Sequence, residues 1–202
     1  MRIDLVVFDG ADELDVFGPF EVFRRTEALG AEVATRLCTA SPAEYVTGAF
    51  HSRFMVDGVL RPGEADLVVV PGGGWVARSE HGARAEADRG VLPRALLDAA
   101  RSGSVMAGVC TGTMILAYAG IVGARRATTH HDAVADLAAT GATVVAERVV
   151  DEGDLVTCGG VTSGIDLALH LVVRYFSRGL AELVAEGLEY SWRSVSAQPV
   201  AG

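Results

Sequence analysis

The sequence predicts an α/β fold with a mostly parallel sheet covered by helices on both faces. Short apolar runs alternate with amphipathic stretches along most of the chain. Half of the 202 residues are hydrophobic and the net charge is −9, which suits one domain with a filled core and no disordered segment. Neither a repeat, a low-complexity segment nor a linker longer than a loop interrupts the pattern, so a single domain is expected over residues 1 to 202.

Strand-like Ile3–Phe8 opens the chain and leads through Asp9-Gly10-Ala11-Asp12-Glu13 into a helical pattern from Asp15 to Leu29, with Val16, Phe20 and Phe23 on one face and Gly30 at its end. Glu32–Thr39 reads as a second strand, and Glu44 to Val59 as one or two short strands around Gly48 and Gly58. Asp66–Val70 is an apolar strand ending in Pro71-Gly72-Gly73-Gly74. Leu92–Ser102 is helical, Ser104–Val109 is a strand, and Thr111–Ala119 and Ala133–Thr140 are helices. Thr143–Val150 and Leu155–Cys158 look like a hairpin or adjacent strands. Helices over Gly164–Arg178 and Leu180–Tyr190 close the fold, and a loosely attached tail is expected after about residue 194.

Composition excludes several chemistries. All seventeen basic residues are arginine, and the chain has no lysine and no asparagine. That removes Schiff-base catalysis, the lysine of a phosphate-binding P-loop and any asparagine-containing triad. An acidic chain with scattered arginines argues against nucleic acid as a partner; the arginines read as solvated helix surface. No apolar run is long enough for a signal peptide or a membrane span, and three cysteines without metal-type spacing argue against a disulfide framework, so a cytoplasmic protein is expected. Cys38 and Cys158 lie in strand-like runs and read as core.

The chemistry concentrates at Val105-Met106-Ala107-Gly108-Val109-Cys110-Thr111-Gly112-Thr113, where an apolar strand meets a helix at Gly-x-Cys-x-Gly. Small residues at Gly108 and Gly112 let the backbone fold tightly around Cys110, and the helix start predicts a lowered thiol pKa. The alternative is a buried core cysteine. In an open α/β sheet ligands bind outside the carboxyl ends of strands, where Asp9–Asp15, Pro71–Gly74 and Cys110 all fall. Asp15 is the candidate proton partner for the thiol, with a helix N-cap as the alternative reading; Asp12 and Glu13 are expected to face solvent. An amide from the glycine turn paired with the Thr111 N–H would form an oxyanion hole, although triple glycine is more often only a turn.

Thr128-Thr129-His130-His131-Asp132 is the polar histidine cluster. Adjacent side chains are expected to diverge and no third ligand is evident, so no metal is predicted. His130 is a candidate pocket residue, while His51, His81 and His170 read as structural or exposed. Phe17, Trp75 and Val161 to Ser163 are further pocket candidates, with core or loop positions as the alternative.

Taken in order, Val-Val-Val-Pro-Gly-Gly, Gly-Val-Cys-Thr-Gly, Ala-Thr-Thr-His and Thr-Ser-Gly-Ile-Asp-Leu-Ala-Leu-His-Leu resemble the ThiJ/PfpI superfamily. The likeness is to its isocyanide hydratase branch and to the related sensor domains of AraC-type regulators, from Ile3 to about Tyr190. It implies a flavodoxin-like three-layer sandwich, a homodimer, Cys110 as nucleophile at the elbow, and Asp15 as the acid that hydrogen-bonds it. It also places Gly73 and Thr111 at the oxyanion-hole amides and His130 at the family's histidine. Thr111 stands where the peptidase-like branch has histidine, which disfavours proteolysis, and His131 stands where an aromatic residue is expected. The implied activity is hydration of a small isocyanide to an N-substituted formamide, with no cofactor. The alternatives are another small-molecule reaction at the same cysteine, glyoxalase-like, amidase-like or a hydratase or lyase, and a non-catalytic redox or ligand sensor. The helix-turn-helix segment of an AraC-type regulator is not expected, since the sequence stops soon after the last helix.

Overall fold

The computed structural model describes residues 1 to 192; the tail expected after about residue 194 lies outside the described residues. In chain order the elements are β1 (Arg2–Val6), α1 (Glu13–Ala28), β2 (Ala34–Thr39), β3 (Tyr45–Thr47), β4 (Arg53–Met55), β5 (Gly58–Val59), β6 (Leu67–Val70), α2 (Ala83–Arg89) and α3 (Val91–Arg101). There follow β7 (Val105–Val109), α4 (Gly112–Tyr118), β8 (Arg126–Ala127), a 3-10 turn (His131–Ala133), α5 (Val134–Ala139), β9 (Thr143–Val144), β10 (Val149–Asp151), β11 (Leu155–Cys158), α6 (Ser163–Tyr175) and α7 (Arg178–Gly187).

Seven strands form the main sheet in the order β10-β11-β7-β6-β1-β2-β5. Every pairing in it is parallel except that of β10 with β11. Taken in chain order, the five long parallel strands run 2-1-3-4-5, the flavodoxin-like arrangement. Leu67, Val68, Val69 and Val70 are all fully buried, as a central strand covered on both faces must be. The order reverses beside β1, between β2 and β6.

α1 and α6 cross closely over one face. A side chain at Gly164 would press on Pro19 and Val109, and one at Gly18 would press on Ile165, so these glycines set the approach of the two helices. Pro19 sits in the middle of α1, where it removes the donor that would otherwise reach the Asp15 carbonyl.

The structure departs from expectation in several places. Glu44 to Val59 holds three short strands, β3, β4 and β5, rather than one or two, and β8 at Arg126–Ala127 has no counterpart in the sequence pattern. The run Thr143–Val150 is split: Thr143–Val144 pairs in parallel with β8 in a small separate sheet, and only Val149–Asp151 pairs with β11. α2 has no counterpart in the sequence pattern, because Ala-Arg-Ala-Glu-Ala-Asp-Arg carries too few large apolar residues to show a helical stripe.

Candidate active site

Four neighbouring parallel strands, β1, β6, β7 and β11, each deliver one part of the site from their carboxyl ends. After β1, Asp12 caps α1: its Oδ1 accepts the N–H groups of Leu14 at 3.0 Å and Asp15 at 3.4 Å. The N-cap alternative for Asp15 is thereby removed. Asp15 lies in the first turn of the helix, fully buried. Its Oδ2 accepts the Gly72 N–H at 3.0 Å, whereas Oδ1 has no hydrogen-bond partner among the described residues. Asp12 and Glu13, expected to face solvent, are both engaged; Glu13 accepts the N–H groups of Phe50 at 2.9 Å and Ser52 at 3.2 Å and so holds the β3–β4 turn against α1.

Cys110 follows β7 in a left-handed conformation, φ +56°, a strained position for a residue with a side chain. Its neighbours fix it there. The Cys110 N–H donates to the Gly159 carbonyl at 3.0 Å, and its own carbonyl accepts the Thr129 hydroxyl at 2.8 Å. A side chain at Gly112 would collide with the Val70 carbonyl, so only glycine lets α4 start this close to β6. The glycine turn itself departs from the expected oxyanion hole. The Gly73 N–H donates to Thr111 Oγ1 at 3.0 Å and the Gly72 N–H goes to Asp15, so the turn ties the two halves of the site together and presents no free Gly73 amide.

After β11 the chain makes a second left-handed turn, at Val161, φ +49°. The Val161 amide lies against both the Cys110 sulfur and the Asp15 carboxyl, and the Thr111 amide also faces the sulfur. Burial pushes the Asp15 carboxyl up to about 7, and the Asp12 charge adds to this; the Gly72 amide, the Cys110 thiol and the Val161 amide pull it back. Burial likewise pushes Cys110 up to about 12, followed by the charge on Asp15, against the pull of the two amides. The lowered thiol pKa expected from the helix start is therefore corrected. α4 is only seven residues long, and desolvation of a sulfur in a residue only 6% exposed outweighs its field. Near neutral pH the site holds a thiol beside a carboxyl poised between its two forms.

The remaining predicted residues divide. The Thr128 amide donates to Thr157 Oγ1 at 3.0 Å and Thr129 binds the Cys110 carbonyl, so His130 is brought to the edge of the site, its ring against Gly160. His130 and His131 do not diverge: the 3-10 turn leaves their rings 4.2 Å apart. Asp132 brings a third potential ligand atom, all three lying within 4.8 Å of one another, although His130 Nδ1 already accepts the Asp132 N–H at 3.2 Å. Trp75 is buried in the core, its Nε1 donating to Asp136 at 2.7 Å, with Arg84 over its ring and Tyr118 at its edge. These partners make it a strut between helices. Phe17 is partly exposed and packs edge-on against Phe54 of β4. His51 and His81 line a separate cleft of about 480 Å³ with Asp9, Thr47 and Glu80, while His170 pairs with Asp151 at 2.7 Å.

Sequence reasoning missed the role of the Gly72 amide and reached Val161 only as a lining residue. Gly159-Gly160-Val161-Thr162-Ser163 joins an apolar strand to an apolar helix just as the Cys110 segment does, and that parallel was the available signal.

Residues 1–174 match the DJ-1/PfpI family. The chain belongs to that family. The isonitrile hydratase of Pseudomonas putida is 31% identical to it over 95% of this chain and 79% of that protein. Among solved structures, a ThiJ/PfpI family protein from Pseudomonas syringae superposes with a TM-score of 0.83 at 24% identity, covering 94% of this chain and 75% of the other. An AraC family transcriptional regulator from Pseudomonas putida gives 0.77 at 21% identity, covering 93% of this chain and 98% of that one. At these identities the structural likenesses show the DJ-1/PfpI fold alone.

Proposed function

We propose that this DJ-1/PfpI protein is a cysteine-dependent enzyme that hydrates a small isocyanide to an N-substituted formamide, with Cys110 as nucleophile and Asp15 as acid and base. The observation that carries the reading is Asp15: a fully buried carboxyl beside Cys110, poised near neutrality, with Oδ1 left unpartnered among the described residues. A relative with which it shares 31% identity is an isonitrile hydratase.

A thiol beside a carboxylate suits this reaction, because its first step consumes the thiol proton. The Asp15 carboxylate takes that proton and passes it to the terminal carbon of the isocyanide as sulfur attacks the same carbon. The S–H bond is exchanged for one C–H and one C–S bond in a thioimidate. Water then adds its oxygen to that carbon while its proton, relayed by Asp15, goes to nitrogen. The C–S bond breaks with its electron pair leaving on sulfur, sulfur takes the hydroxyl proton, and the formamide departs. The balance closes without metal or cofactor.

Incubating the protein with alkyl and aryl isocyanides and quantifying the formamide tests the reading. Multiple turnovers that vanish in Cys110→Ala are expected; normal turnover by that variant overturns the assignment.

A homodimer is part of the same proposal, supported by exposed Leu14 and Phe17 on α1 and by exposed Phe50 and Met55 at the β3–β4 hairpin. A cytoplasmic location also belongs to it; among the described residues no helix is long and apolar enough to cross a membrane.

A further inference from the structure

Val161 is a β-branched residue held in a left-handed conformation, which persists only where the surroundings over-determine it. The turn it belongs to lacks the usual fixative. Thr162 is the N-cap of α6, yet its side chain makes no capping bond. Its Oγ1 instead accepts Arg148 Nη2 at 3.0 Å. The backbone of Arg148 meets the other end of the turn, its carbonyl accepting the Gly159 N–H at 3.0 Å, in line with the pairing of Val149 to Cys158. The Gly159 carbonyl in turn accepts the Cys110 N–H. One residue therefore grips both ends of the turn that carries Val161.

The grip has a buried footing. Arg148 Nε donates to Asp166 Oδ2, and Asp166 is 2% exposed on the inner side of α6. Tyr190 donates its hydroxyl to the same oxygen at 2.8 Å and lies 3.3 Å from Arg148 Nη2. A buried carboxylate with two donors and an arginine aimed at a cap hydroxyl is a costly arrangement for surface decoration, and the proton chemistry of Cys110 and Asp15 gives none of the three a part.

We propose that Arg148, seated on Asp166 and Tyr190, is a positioning residue that fixes the Val161 turn and so holds the Val161 amide against Cys110 and Asp15. It rests on the Cys110–Asp15 pair but not on the isocyanide, so its test uses no substrate. Alkylation of Cys110 by iodoacetamide, followed across pH, reads the ionisation of Asp15 as an inflection near 7. In Arg148→Met and in Thr162→Val, the inflection is expected to move up by about one pH unit, because the Val161 amide that favours the charged Asp15 carboxylate is no longer held against it. Thr162→Val keeps every charge, so its shift reports the turn rather than the loss of a cation. Arg126→Met, which breaks an ion pair with Glu147 and Glu152, leaves the inflection in place. An inflection that stays at its wild-type position in folded Thr162→Val overturns the proposal, whether or not Arg148→Met folds. Formamide assays of the wild-type protein decide the hydratase reading separately.

Discussion

Asp15 carries a cost that the fold accepts. Its carboxyl is protonated in the folded chain up to about pH 7 but ionises near 4 when unfolded. The folded state binds the extra proton between those values, so this contribution to stability is complete below about pH 4 and is lost as pH rises to 7. The loss amounts to about 4 kcal/mol at most. Chemical denaturation of Asp15→Asn across pH should show a flatter profile than wild type and a more stable protein at pH 8. Turnover should behave in the opposite sense, rising with pH through about 7 as the carboxylate form appears, and Asp15→Asn should lack that limb while remaining folded. A pH-rate profile with no inflection near 7 in wild type would remove Asp15 from the proposed proton transfers.

Among the elements, the turns after β6, β7 and β11 matter more than the helices that follow them. Each turn places a main-chain group, the Gly72 amide on Asp15, the Cys110 backbone on Gly159 and Thr129, the Val161 amide between sulfur and carboxyl, and the turn after β7 also presents the Cys110 sulfur. The helices supply struts. Trp75 joins Arg84 of α2 to Asp136 of α5 and packs on Tyr118 of α4. Trp75→Phe keeps the ring and loses the Nε1 bond, so thermal unfolding should report a destabilisation of about 1 kcal/mol with the rate of Cys110 alkylation unchanged. A large change in that rate would favour the pocket position that the sequence left open for Trp75 beside a core one.

For the molecule as a whole, one group of exposed apolar side chains, Leu14, Phe17, Tyr45, Phe50 and Met55, lies where α1 meets the β3–β4 hairpin, close to the end of α1 that carries Asp15. If two copies cover this face, sedimentation should give a dimer, and Phe50→Glu should shift the equilibrium to monomer without lowering the monomer's helix content. Phe50 is 74% exposed, so the substitution removes little from the core of one chain. A wild-type monomer at micromolar concentration would count against the dimer.

The sequence by itself determined the layered α/β plan, the strand that ends at Cys110 and the presence of Asp15 near the start of the first helix. These follow from local signals: apolar runs, glycine turns and a helical stripe, each readable within a short window. It mistook the ionisation of Cys110 and the duty of the Gly73 amide, and it left Trp75 open between pocket and core. It also gave no sign that Arg148, read as one more surface arginine, reaches across to Asp166 and Thr162. Only the tertiary structure decided these, because desolvation, free amides and long-range ion pairs depend on which strand ends converge. That convergence is a property of the sheet order, which brings residues as far apart in sequence as Asp15, Gly72, Cys110 and Val161 onto a single thiol–carboxyl pair.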